Sequence, residues 1–270
     1  MTARKIIRRI FKRAIVLVPM AYFYWPAVAT FMATGIYDVL RHHKKDKAFI
    51  FKQYFFENGT LTWLFSPLNT LIDIISLPFI NKQIYKLEDL PKRHQEEVRT
   101  ILNEVPKKQL NDILDELNDS SERSMLFYKW YGYNVDNSYP VELFHRKFKT
   151  VKTIGISSFN AHASTSEHFG WLRAGIRVLI NIDEAVQGEA YLEVNDQTHS
   201  WKDDGPLFIF DDTVLHQSFN KSNKRRNNLF IDIARPTPFP FLINGLFGIF
   251  GFISTSVSFF RNLSNWKVVK

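Results

Sequence analysis

Seven short segments rich in β-branched and aromatic residues, at 151–159, 173–182, 190–194, 197–201, 207–210, 215–219 and 229–234, succeed one another with no helical pattern between them. Asn195-Asp196 joins the third and fourth as a tight hairpin turn. A series of short strands of this kind predicts a mainly β domain, a double-sheet jelly roll, which brings residues far apart in sequence together. Ahead of it, Val98, Leu102, Leu110, Ile113 and Leu117 recur at helical intervals among charged residues, with Pro106 between. That pattern predicts a pair of amphipathic scaffold helices.

Lys and Arg number 35 against 27 Asp and Glu, a net charge of +8, so an anionic partner is favoured. No nucleic-acid motif accompanies the charge, and phospholipid headgroups are the better match. Cysteine is absent, which excludes disulfides, zinc ribbons, thiolate-held clusters and thiol catalysis. Residues 14–37 carry no charge and follow six basic residues, Arg4, Lys5, Arg8, Arg9, Lys12 and Arg13. As a helix the run is long enough to cross a bilayer. Ala27-Val28-Ala29 offers a signal-peptidase site, but the apolar run continues past it, so a retained anchor is expected. Pro19 and Pro26 leave room for a kinked or in-plane segment. A second uncharged run covers 236–260, and its prolines and glycines suit an interfacial element at least as well as a span. The shorter stretch 61–80 is too broken to cross, and lies on the membrane or beneath the β domain.

Within the β region, His168 and His216 stand 48 positions apart and Arg226 follows the second by ten. Two neutral imidazoles suit a borderline metal such as Fe(II), and a guanidinium fork suits the carboxylate of a keto-acid co-substrate. Arg225 is the competing neighbour; alternation along a strand puts one inward and one outward without saying which. Asp211 and Asp212 read either as groups orienting His216 or as turn residues. His162 and His199 read as surface or loop histidines, and His42 and His43 as part of a basic cluster beside the first apolar run.

The order of Lys129-Trp130-Tyr131-Gly132, Ser157, His168-Phe169-Gly170, Arg177, Trp201, Phe210-Asp211-Asp212 with His216, Arg226 and Asp232-Ile233-Ala234-Arg235-Pro236 resembles the aspartyl/asparaginyl β-hydroxylase family. Ser66-Pro67-Leu68-Asn69 is similar to a segment of its membrane-bound lipid A hydroxylases. The resemblance implies a double-stranded β-helix of the cupin-like kind, with N-terminal helices and membrane-associated hydrophobic segments. It also implies Fe(II) held by His168 and His216, and 2-oxoglutarate held by Arg226 with Ser157 and Arg177. Gly170 stands where many such oxygenases carry the carboxylate of a facial triad, and asparaginyl hydroxylases of the family share that arrangement. Glu167, adjacent to His168, would face the opposite side of a strand.

These readings divide the chain into an anchor at 1–47, a helical membrane-proximal region at 48–128, the oxygenase domain at 129–236 and an apolar C-terminal segment at 237–270. The expected substrate is an acyl chain of a membrane lipid, lipid A first among them. An aminolipid, an Asp or Asn side chain of a protein, and a catalytically silent scaffold are the alternatives. Basic residues flank the first apolar run on both sides, so charge does not choose its orientation. Iron(II) and 2-oxoglutarate are cytosolic supplies, which puts the catalytic domain on the cytoplasmic side of the inner membrane.

Overall fold

The computed structural model describes residues 3–42, 46–57, 59–77, 79, 82–117, 123–183, 189–256 and 267–268. Four helices come first: α1 (Ala3–Arg41), α2 (Lys47–Phe56), α3 (Thr60–Leu64) and α4 (Ser66–Ile75). Asp46 caps α2 by accepting the Phe49 N–H at 2.9 Å, and Pro67 opens α4 where no helical N–H is needed. The strand β1 (Ile84–Tyr85) leads to α5 (Lys92–Glu104) and α6 (Lys107–Glu116), which part at Val105-Pro106 as the sequence predicts. Then come β2 (Arg123–Trp130), β3 (Tyr133–Asn134), α7 (Glu142–His145), β4 (Val151–Phe159), β5 (Gly175–Asn181), β6 (Ala190–Val194), β7 (Gln197–Ser200), β8 (Leu207–Phe210), β9 (His216–Asn220) and β10 (Arg226–Ala234). The helix α8 (Pro240–Ser256) follows, and a two-residue strand β11 (Lys267–Val268) closes the described chain.

The strands form one large sheet in the order β1-β8-β5-β10-β4-β2-β11, with β3 on β2, and one small sheet in the order β7-β6-β9. Asn195, with φ of 54°, turns β6 into β7 so that Val194 faces Gln197, the hairpin expected from Asn195-Asp196. Isolated bridges from Ser164 to Phe219 and from His168 to His216 extend the small sheet past β9. The result is the two-sheet roll expected of the β region.

Alternation gives the two faces of the large sheet opposite characters. Ile154, Ile156, Val178, Ile180, Leu229, Ile231 and Ile233 point outward into one apolar cluster with Val98 and Ile101 of α5 and Leu110 and Leu114 of α6. Each such side chain, fully buried, contributes roughly 1.5–3 kcal/mol. Cross-strand partners put the other set inward: Arg226 opposite Phe159, Asn228 opposite Ser157, Phe230 opposite Gly155, and Asp232 opposite Arg177. Polar residues therefore line the space between the sheets, beside a smaller apolar cluster of Leu192, Val194, Trp201, Phe208 and Phe210.

The N-terminal apolar run departs from the expected spanning anchor. Among the described residues no helix is long and apolar enough to cross a membrane. The helix α1 breaks at Tyr24, where φ is −152° and ψ is 70°, two residues ahead of Pro26. Beyond the break its C-terminal part is built into the protein: a Cβ on Gly35 would stand 2.7 Å from the Trp63 ring, and Asp38, Val39 and His42 are buried. A segment packed this way is not surrounded by lipid over the whole of 14–37. Within the stretch 61–80 the helices α3 and α4 are bonded to the β domain, Thr62 to the Gly170 carbonyl and Asn69 to that of Trp171. Of the run 236–260, Pro240–Ser256 forms α8, which packs Ile243 and Phe247 against Tyr131 and Ala234. Residues 257–260, the residues 43–45 that include His43, and the basic side chains from Arg4 to Arg13 lie outside the described residues.

Candidate active site

His168 and His216 come together. Each donates its backbone N–H to the other's carbonyl, at 3.1 and 3.0 Å, and their ring centroids are 4.2 Å apart. His168 Nδ1 meets the Ser166 carbonyl at 2.7 Å and His216 Nδ1 meets that of Val214 at 2.8 Å. A carbonyl only accepts, so the Nδ1 atoms carry the protons and the Nε2 lone pairs are left for a ligand. Burial holds both imidazoles below their usual range, and for His216 the neighbouring His168 adds to the effect. Neutral rings with free Nε2 atoms are what metal ligation requires.

The two aspartates ahead of His216 part company. Asp211 makes a turn, its Oδ1 accepting the Thr213 N–H at 2.9 Å and the Thr213 hydroxyl at 2.7 Å, and its Oδ2 enters a buried cluster of arginines. Asp212 faces the site, with Oδ1 3.4 Å from His216 Nε2 and 2.8 Å from Arg177 Nη1. Its carboxylate fills the space beside Gly170, where a Cβ would stand 2.7 Å from Asp212 Cγ. Among the described residues no group of three His, Asp or Glu side chains is arranged to hold one ion. Two imidazoles with a carboxylate 3.4 Å from one Nε2 nevertheless fit a metal that keeps open positions.

Arg226 points inward. It is only 2% exposed, its guanidinium lies 4.5 Å from the Phe159 ring centroid and 5.7 Å from that of Trp201, and Nη2 donates to Ser218 Oγ at 2.7 Å. With the Asn228 amide turned to accept from it at 3.0 Å, Nη1 is also engaged, while Nε is buried without a partner. No carboxylate lies within ion-pair distance of it among the described residues, and burial lowers its pKa to about 10. Arg225 is the outward neighbour, paired with Asp115 and donating to the Leu114 carbonyl at 3.1 Å. Ser157 lies on the same inner face, opposite Asn228.

Arg177 differs from expectation. Its guanidinium is gripped by Asp232 at 2.8 Å and by Asp212 at 2.8 Å, so its fork is occupied by the protein's own carboxylates. Burial works against that charge, but Asp212 and Asp232 outweigh it and raise its proton affinity. Two further histidines lie elsewhere than their sequence context suggests. His199 is buried, stacked on Phe208 at 4.4 Å, and is not a surface residue. His42 is buried against Phe169 and belongs to no surface cluster. His162 is exposed and bonds to Asn223, as expected of a loop histidine.

The sequence profile of the aspartyl/asparaginyl β-hydroxylases matches residues 96–236, just over half of the chain, and so takes in His168, His216 and Arg226. The chain belongs to this family. Among curated proteins none matches it. Solved structures that are similar to it include a cupin superfamily protein from Desulfitobacterium hafniense, 19% identical over 45% of this chain and 87% of that one, with a TM-score of 0.28. The cupin domain of Cnp3 from Schizosaccharomyces pombe is 15% identical over 45% and 71%, at 0.30. At such scores the fold of this family member rests on its own sheet order.

Proposed function

We propose that this hydroxylase-family chain is an Fe(II)- and 2-oxoglutarate-dependent dioxygenase acting on an acyl chain of a membrane lipid, lipid A being the expected substrate. The observation that carries the reading is Arg226, a buried cation with no carboxylate in ion-pair distance among the described residues, Asp183 acting on it only from farther away, and anchored to Ser218 two residues along β9 from His216. Both side chains point to the same face, so about 7 Å of strand separates the anion-binding end from the imidazole pair. That spacing suits a short dicarboxylate with one end at the guanidinium and its keto-acid end at the histidines.

His168 and His216 would hold the iron, and Ser157 and Ser218 would flank the distal carboxylate beside Arg226. When bound, the iron couples O2 and 2-oxoglutarate to hydroxylation, the products being succinate, CO2 and the alcohol. The protein's own part is to keep both Nδ1 protons on carbonyls, to hold the Asp212 carboxylate beside His216 through Arg177, and to surround the co-substrate with Phe159 and Trp201.

A lipid substrate is supported by the surface beside the histidines. Leu64, Leu71 and Ile74 from α3 and α4, with Phe241, Ile249 and Phe252 from α8, are all exposed. The two groups adjoin, since Phe65 packs on both Trp171 and Phe250, and Trp171 is three residues from His168. A contiguous apolar face of this kind marks an interaction surface, and its place favours a bilayer at the site's entrance. The test supplies Fe(II), 2-oxoglutarate and dispersed lipid A, and measures succinate and the lipid's mass. Succinate with lipid heavier by one oxygen is expected. Succinate with unchanged lipid moves the substrate to an aminolipid or a protein side chain, and no succinate leaves a silent scaffold.

A further inference from the structure

The matched family region begins at residue 96, yet much of what fixes the two histidine-bearing segments comes from ahead of it. Around His168, the Thr62 hydroxyl of α3 donates to the Gly170 carbonyl at 3.0 Å. Asn69 of α4 donates to the Trp171 carbonyl at 3.0 Å and accepts the Arg173 N–H at 2.8 Å. Around His216, the His42 ring at the end of α1 donates from Nδ1 to the Asp38 carbonyl at 2.7 Å, and its Nε2 accepts the Leu215 N–H at 3.3 Å. Leu215 immediately precedes the histidine.

Between these two attachments lies a largely buried ion network. Arg173 reaches Asp38 of α1 and Asp73 of α4, each at 2.6 Å, and its Nε donates to Thr213 Oγ1 at 3.2 Å. Asp211 accepts from Arg41 of α1 and from Arg235, each at 2.8 Å. Three carboxylates balance three guanidinium groups, and they join α1 and α4 to the segments on either side of the histidines. A buried network of this sort stabilises little compared with apolar packing, but it fixes one arrangement, because any displacement leaves a charge unpaired.

We infer that the helices preceding the matched region are a positioning element for the iron site, with His42 the residue that sets His216 and Asn69 the one that sets the His168 segment. This inference rests on the proposed role of the two histidines as iron ligands. His42 touches no reacting atom. It acts through one backbone N–H, so a side chain that supplies the same donor and acceptor replaces it. Glutamine can do so and phenylalanine, of similar bulk, cannot.

The test uses the full-length protein with Co(II) in place of Fe(II), reading affinity and the visible absorption spectrum together with the thermal midpoint. His42→Phe is expected to lose about tenfold or more in Co(II) affinity and to change the spectrum, on the scale seen when groups supporting a metal ligand are removed. His42→Gln is expected to return both close to wild type. His42→Phe with wild-type affinity and spectrum overturns the inference, and so does a His42→Gln variant that folds yet fails to restore them. Should His42→Phe not fold, Asn69→Ala and Thr62→Val decide: weaker Co(II) binding supports the positioning role, and unchanged binding in both overturns it. A wild-type protein that binds no Co(II) overturns the dioxygenase reading itself, a separate result.

Discussion

Gly170 and Asp212 share one volume. The Gly170 N–H donates to the Asp212 carbonyl at 2.7 Å, and a Cβ at position 170 would stand 2.7 Å from that carbonyl oxygen and from Asp212 Cγ. The carboxylate that the sequence lacks at 170 is thus met in space by one at 212, on the strand connection that leads to His216. Restoring an acid at 170 therefore crowds an acid already present. Gly170→Asp is expected to lower the thermal midpoint, by the equivalent of about 1–3 kcal/mol for an overpacked site, and to lower succinate production. A Gly170→Asp protein with higher metal affinity and activity than wild type would show that Asp212 does not serve the site.

Arg226 gives a prediction of opposite signs for stability and function. Among the described residues no carboxylate pairs directly with its buried charge, and the attraction of Asp183 does not offset burial, so removing it relieves a desolvation cost in the protein without ligand. Arg226→Met is expected to abolish 2-oxoglutarate turnover while leaving the thermal midpoint unchanged or raised. Arg226→Lys, which keeps the charge and loses the fork, is expected to raise the half-saturating 2-oxoglutarate concentration about tenfold, equivalent to ~1.4 kcal/mol. Arg225→Lys should change neither, because that side chain faces α6. A shift in the 2-oxoglutarate requirement with Arg225→Lys alone would reverse the assignment.

The acid limit of the fold follows from its buried imidazoles. His42 falls to about 3 and His216 well below its usual range, both chiefly through burial, while the unfolded chain titrates near 6.5. Groups with depressed basic pKa values bind more protons when unfolded, so their contribution is complete above about pH 6.5 and is lost as pH falls below it. Metal-free protein is expected to hold a constant denaturant midpoint from pH 8 to 7 and to lose stability steeply towards pH 5. His42→Gln should flatten that slope. An equal slope in wild type and variant would assign the acid sensitivity elsewhere.

The β domain was legible because alternation and the Asn195-Asp196 turn are local signals, and the two helices around Pro106 likewise. Residue types and spacing singled out the histidines and Arg226, and the structure adds that the two rings meet and that Arg226 rather than Arg225 faces inward. What the sequence hid is non-local. Arg173 meets Asp38 across 135 positions and Asp73 across 100, and no periodicity announces such a partner. The same reason explains His42, which reads as one more basic residue after an apolar run until Leu215 is folded against it. Arg177 has the residue type of a carboxylate ligand, and the aspartates that pair with it, Asp212 and Asp232, are distant from it in sequence.

The first apolar run, finally, divides at Tyr24 into two parts with different roles, and deletions separate them. The part after the break carries Asp38, Arg41 and His42 into the buried network, so removing residues 1–45 leaves Arg173 without Asp38 and Asp211 without Arg41. Breaking a buried ion pair by removing one partner costs about 3–5 kcal/mol. Deletion of 1–45 is therefore expected to unfold the protein or drop its thermal midpoint sharply, and membrane release in that variant would say nothing of anchoring. Deletion of 1–23 stops short of every contact in the network. It is expected to keep the thermal midpoint and the Co(II) spectrum while weakening sedimentation with anionic vesicles. Association should persist in part through α8, and fall further when Phe241, Ile249 and Phe252 are changed to serine in the same protein. Loss of the fold on deleting 1–23, or vesicle binding untouched by both changes together, would refute this division of labour.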